Sequence, residues 1–149
     1  MALHRSADRG KYASAAGVAR GACVLADSPG GPPEVMFIAS GSEVSLVVAA
    51  HEALLSQGIR SRVVSMPSWD IFGQQPASYR ETVPPPQITA RIAVEQGSVL
   101  GWERYVGPIS RVIGMTTFGA SAPLKELQRK FGFEPDRVVA AAKQLLGRG

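Results

Sequence analysis

The apolar positions of this chain alternate between two periods. Val35-Met36-Phe37-Ile38-Ala39 is an unbroken apolar run, the pattern of a strand covered on both faces. Ser40-Gly41-Ser42-Glu43 interrupts it: Gly41 suits a tight turn, Ser40 stands where an N-cap would, and Glu43 three residues later completes a capping box. Val44, Val47, Val48, Leu54 and Leu55 then recur at helical spacing until Gln57-Gly58, a C-terminal stop, and Arg62 to Met66 reads as the next strand, closed by Pro67. The spacing predicts a β-α-β unit. Its right-handed crossover between parallel strands commits the chain to an α/β layered sheet.

Other elements follow on either side. Arg20 to Ala26 reads as a strand, and Asp27 to Pro33 is dense turn chemistry, too short to hold a crossover helix. The first strand is therefore expected to run antiparallel, at or near a sheet edge. Pro67 to Gly73 is expected to be a structured loop anchored by Trp69 and Phe72, and a short helix follows from Pro76 to Thr82. Val83-Pro84-Pro85-Pro86 forbids helix, which moves the next strand to Thr89–Glu95. Leu100 to Val106 reads as an amphipathic helix packing through Trp102, Tyr105 and Val106, and Arg111 to Met115 as the last strand. Ser121 and Pro123 open a helix to Lys130. Glu134-Pro135-Asp136 opens a terminal helix with Val138, Val139, Ala142, Leu145 and Leu146 inward. Residues 1–17 have no periodicity and read as a linker, leaving 18–149 as one domain.

Charge changes this picture little. The net charge of +4 is concentrated at the start: Arg5, Arg9, Lys11 and Arg20 face only Asp8 within the first 20 residues. The rest carries twelve basic and eleven acidic side chains, so the domain is nearly neutral and no nucleic-acid partner is expected. The single cysteine, Cys23, sits in an apolar run and reads as a buried thiol. No apolar stretch approaches the ~20 residues of a membrane span and the N-terminus lacks a signal-peptide core, so no membrane partner and a cytoplasmic location are expected.

Few residues offer chemistry. The histidines are His4, in the leader, and His51, in mid-helix and away from the strand C-terminal ends where α/β sheets place their sites. His51 therefore reads as a surface or packing side chain. No Cys or His pair has metal-ligand spacing, and neither G-x-G-x-x-G nor a G-x-x-x-x-G-K-[ST] loop occurs. The remaining candidate is an anion or ligand site formed by Ser40, Gly41 and Ser42 at a helix N-terminus, with Glu95 at the end of its strand facing the same edge. The simpler reading is that the serines cap the helix and Glu95 makes a structural hydrogen bond or ion pair.

Taken in order, several segments resemble the C-terminal domain of transketolase: Asp8 to Tyr12, Ala16 to Gly21, Ala39 to Val44, Val63 to Ser68 with Asp70 and Phe72, Tyr79-Arg80-Glu81, Ala90 to Glu95, and Gly114 to Gly119 with Ser121-Ala122-Pro123. The resemblance covers about residues 8–146. It implies a three-layer α/β/α domain with a five-stranded mixed sheet of order 1-3-2-4-5, strand 1 antiparallel. The seven residues of the Asp27 to Pro33 connector reach roughly 23 Å, enough to skip one strand as that order requires. The full-length family implies thiamine diphosphate and Mg2+ and two-carbon ketol transfer between sugar phosphates, carried by two other domains. The family's Gly-Asp-Gly metal and diphosphate motif does not occur in this chain. No catalytic, cofactor-binding or metal-binding residue carries over, and the chain alone is expected to be inactive.

Two functions follow from the resemblance and the residues. One is a non-catalytic domain that packs against catalytic domains or a companion transketolase subunit and supports a homodimer. The other is a free-standing module that holds a small anion, or regulates through one, at Ser40 to Glu43. Candidate interface residues are Trp69, Ile71, Phe72 and Phe118. Phe72 and Phe118 are expected to close their own core, and Trp69 to be the exposed one.

Overall fold

The computed structural model describes residues 11–107, 111–115, 126, 129–130 and 133–149. Among them are five strands, β1 (Cys23–Asp27), β2 (Val35–Ala39), β3 (Ser61–Ser65), β4 (Arg91–Ser98) and β5 (Arg111–Met115). They form one sheet of order β1-β3-β2-β4-β5, with β1 antiparallel to β3 and every other pairing parallel. α-Helices whose bounds are described are α1 (Glu43–Ser56), α2 (Trp69–Gly73), α3 (Ala77–Thr82), α4 (Glu103–Val106) and α5 (Pro135–Leu145). The expected sheet order and the antiparallel first strand are both present.

β2 lies at the centre, and all five of its side chains are buried. Val35, Phe37 and Ala39 point to one face, where they meet Val63, Ile92 and Val94 beneath Val44, Val47 and Leu54 of α1 and Val138 and Ala142 of α5. Met36 and Ile38 point to the other, where Val64 and Ala93 meet Phe72, Val83, Trp102 and Val106. This alternation on a strand with helices over both faces is why the sequence shows an unbroken apolar run instead of a period of two. α1 ends in a Schellman motif: Gly58 at φ 75° donates to the Leu55 carbonyl, and Ile59 to that of Leu54, with Ile59 and Leu54 both buried.

The connector from β1 to β2 passes beneath the start of β3, held there by a chain of short polar side chains. Ser28 and Ser61 bond reciprocally: the Ser28 amide donates to the Ser61 carbonyl at 3.0 Å, and the Ser61 amide to Ser28 Oγ at 2.9 Å. Ser61 Oγ lies 2.7 Å from Nδ1 of buried His51, so α1, β3 and the connector share one network. Further along, the Arg60 amide donates to Glu34 Oε2 and Arg60 Nε to the Pro32 carbonyl. Burial holds the His51 pKa below the usual histidine range, opposed by smaller contributions from Glu52 and Asp27. Cys23 is buried, as expected, and burial pushes its thiol up.

Two local expectations need correction. Residues 11–17, expected to belong to the linker, make definite contacts: Lys11 and Tyr12 both donate to Glu52 of α1, and Ala15–Arg20 forms a 3-10 helix capped by Gly21. The Ala13 amide donates to the Leu25 carbonyl, beside the irregularity that interrupts β1–β3 pairing between Val24 and Ala26. Pro67 to Gly73 is not only a loop. Ser68 accepts at Oγ from the Ile71 amide and starts α2, too short to show a helical period in its sequence. Gly21 makes this junction possible. Its φ is 84°, its carbonyl accepts from the Ser68 amide, and a Cβ there would stand 2.3 Å from Phe72 N and 2.5 Å from the Ser68 carbonyl oxygen.

Two outcomes are predicted. Gly21→Ala lowers unfolding stability by more than about 2 kcal/mol, whereas Gly30→Ala, also at positive φ (91°) but with nothing within 4 Å, loses only about 1 kcal/mol in denaturant titrations; equal losses would refute the close approach of α2 to Gly21. For His51 the folded pKa is depressed, so the unfolded chain takes up the proton first. Its contribution is complete above the unfolded pKa of about 6.5 and is lost as pH falls through that value towards the folded one. Stability measured between pH 7 and 5 should fall more steeply for the wild type than for His51→Gln, and parallel profiles would show that His51 is not buried in its neutral form.

Candidate functional site

The residues singled out at the strand ends come together because β2 and β4 are parallel neighbours in register, with Ala39 opposite Val94. Ser40, one residue past β2, and Glu95 in β4 therefore lie side by side. Ser40 Oγ donates to Glu95 Oε2 at 3.0 Å, and the Gly97 amide donates to Oε1 at 2.8 Å. The pairing of β4 with β5 is irregular between Glu95 and Ser98, and it is within this stretch that the Gly97 amide meets the carboxylate. Each oxygen of Glu95 thus has a donor supplied by the protein itself.

At the adjoining turn Gly41 has φ 57° and Ser42 is the residue preceding α1. The expected capping box does not form. Ser40 is turned onto Glu95, and Ser42, with helical dihedrals of −68° and −26°, makes no side-chain cap. Ser42 Oγ instead donates to Glu43 Oε1 at 2.6 Å, and Glu43 is buried against the positive end of the helix. The first turn is closed by the main chain, from the Glu43 amide to the Ser40 carbonyl and from Val44 to Gly41.

These bonds bear on what the turn can hold. Both serine hydroxyls that an incoming anion would use already donate to carboxylates, and the anion would approach two negative charges. The same applies to a diphosphate. A diphosphate-bound Mg2+ needs convergent oxygen ligands, and no group of three or more His, Cys, Asp or Glu side chains able to hold a metal occurs among the described residues. The described residues at this turn do not fit thiamine diphosphate and its metal ion.

The candidate interface residues divide. Phe72 is buried in the core, as expected. Trp69, expected to be exposed, is half-buried: its ring stands edge-on to Trp102 at 5.0 Å and 5.8 Å from Tyr105, and a Cβ on Gly101 would lie 2.7 Å from it. Trp102 and Tyr105, assigned by the sequence to a neighbouring helix, are what cover it. Ile71 is 44% exposed, and Leu100, which sequence reasoning placed inside a helix, is 78% exposed in the turn before α4. Its signal was a large apolar residue beside a glycine, which periodicity cannot separate from a helix start. Phe118 lies outside the described residues.

With this geometry in hand, the relatives are informative. The family model for the transketolase-like TK C-terminal domain matches residues 21–134. Transketolase 1 of Escherichia coli (strain K12) is 55% identical over 131 residues, covering 88% of this chain and 20% of that protein. Transketolase of Geobacillus stearothermophilus is 49% identical over 132 residues, covering 89% and 20%. Among solved structures, transketolase from Leishmania mexicana superposes with a TM-score of 0.81 at 41% identity, covering 91% of this chain and 19% of that one. The chain thus spans about one fifth of the length of the curated relatives it matches. From the matched segment, the shared fold and the level of identity, the chain belongs to the transketolase family, and corresponds to its C-terminal domain.

Proposed function

We propose that this chain serves a transketolase as a non-catalytic domain, packing against domains that bind thiamine diphosphate and supporting their dimer. The observation that carries this reading is the fate of the polar groups at the strand C-terminal ends. In open α/β sheets a ligand sits at these ends and is met by free donors or acids. Here Ser40 pairs with Glu95 and Ser42 with Glu43, so the edge is tied together internally. Ile71 and Leu100 are large apolar side chains exposed to solvent, which suits a surface that another domain covers. The ketol transfer itself is then the work of the remaining four fifths of a full-length enzyme, as the coverage of the relatives supports.

Titration of the chain with thiamine diphosphate and Mg2+ in a calorimeter is expected to give no saturable heat, and assays of ketol transfer between sugar phosphates no turnover. A saturable heat at micromolar cofactor would overturn the non-catalytic reading.

A further inference from the structure

On the face of the sheet opposite α1 and α5, a cleft of about 370 Å3 opens between α3 and α4, a size within the roughly 300–1,000 Å3 of small-molecule sites. It belongs to neither the strand-end turn nor the exposed Ile71 and Leu100. Phe72 and Tyr105, with ring centroids 6.1 Å apart, and Pro84 give it an apolar lining. The walls are held at a fixed separation by Arg91, whose guanidinium donates to the carbonyls of Pro84 and Pro85 on one side, of Tyr105 in α4 on the other, and of Ile88. Burial lowers the Arg91 pKa from its usual range, but its donors are committed to these carbonyls and its role is to brace the cleft.

Two other guanidinium groups line the same opening and are less committed. Arg80 donates through Nε to the Gln75 carbonyl at 3.1 Å and makes no hydrogen bond through its terminal nitrogens to any described residue. Arg104 lies 5.7 Å from the Trp69 ring and makes no hydrogen bond or ion pair with any described residue. Glu81, the acid of the lining, pairs with neither. A cleft with an aromatic and apolar lining and two planar donor groups at its opening complements a molecule of matching chemistry: an apolar, aromatic body carrying one oxyanion.

We propose that this cleft is a binding site for a small organic oxyanion, a phosphate or carboxylate, with the anionic group on Arg80 and Arg104 and the apolar body against Phe72, Tyr105 and Pro84. This holds whether or not the domain serves a transketolase, and the two readings fail separately: cofactor titration tests one and the following experiment the other.

The test is a titration of the isotopically labelled chain followed by NMR, with phenyl phosphate, benzoate, inorganic phosphate and phenol as separate probes. Phenyl phosphate or benzoate should produce saturable shifts at Ala77, Arg80, Arg104 and Tyr105, and whichever binds tighter identifies the anionic group. Inorganic phosphate and phenol, each carrying half of the required chemistry, should bind at least about tenfold more weakly. Arg80→Gln and Arg104→Gln, both at exposed positions, should each weaken binding by about tenfold, as expected for a lost charge-assisted hydrogen bond. Lys143→Gln, on α5 across the sheet, should leave it unchanged. No saturable shift with either aromatic anion, inorganic phosphate binding as tightly as phenyl phosphate, or undiminished binding by the doubly substituted Arg80→Gln, Arg104→Gln chain would each overturn the proposal.

Discussion

Val35–Ala39 has no face turned to water, and most of the architecture follows from that constraint. Fully burying a side chain such as Phe37, Met36 or Ile38 stabilises the fold by roughly 1.5–3 kcal/mol each, but only if both faces of the sheet are covered. α1 and α5 supply one layer and α2, α3 and α4 the other. A strand buried in this way also needs a neighbour on each edge for its main-chain groups, and β3 and β4 fill those positions in parallel register. β1 is left the place beyond β3, so the connector to β2 has to cross the start of β3. The buried Ser28, Ser61 and His51 network fastens that crossing.

The central β-α-β unit was legible because its periods are long and distinct: an apolar strand, a four-turn helix with a Gly58 stop, and a second strand ending before Pro67. Strand order was legible only through family resemblance, since a seven-residue connector is compatible with a hairpin as well as with a skipped neighbour. The misreadings share a cause. Ser28 and Ser61 are 33 positions apart, and Ser40 and Glu95 are 55 apart, so the bonds that join them are not visible locally, although Glu95 was expected at the same edge as Ser40. Ser40 satisfies the sequence pattern of a capping box, but a carboxylate brought alongside by β4 takes its hydroxyl instead. Trp69 looked exposed between Ser68 and Asp70 because its cover, Trp102 and Tyr105, comes from a turn more than thirty residues later.

The same long-range pairing ties up the polar groups at the strand ends. The strand-end geometry resembles a site in outline, with a glycine turn, two serines and two acids at a helix start. Their hydrogen bonds join them to one another, fixing where α1 begins relative to β4. Ile71 and Leu100 are exposed apolar side chains, and Arg80 and Arg104 line a cleft on the sheet face opposite α1 and α5.

The most direct measurement of the assembly role is sedimentation of this chain mixed with a transketolase from which the C-terminal domain has been removed. The account predicts one faster-moving complex containing both chains, weakened when Leu100→Ser and Ile71→Ser are combined in a domain that remains folded by circular dichroism. If the two chains sediment independently at every concentration at which both stay dispersed, the domain does not pack as proposed and the central claim is contradicted.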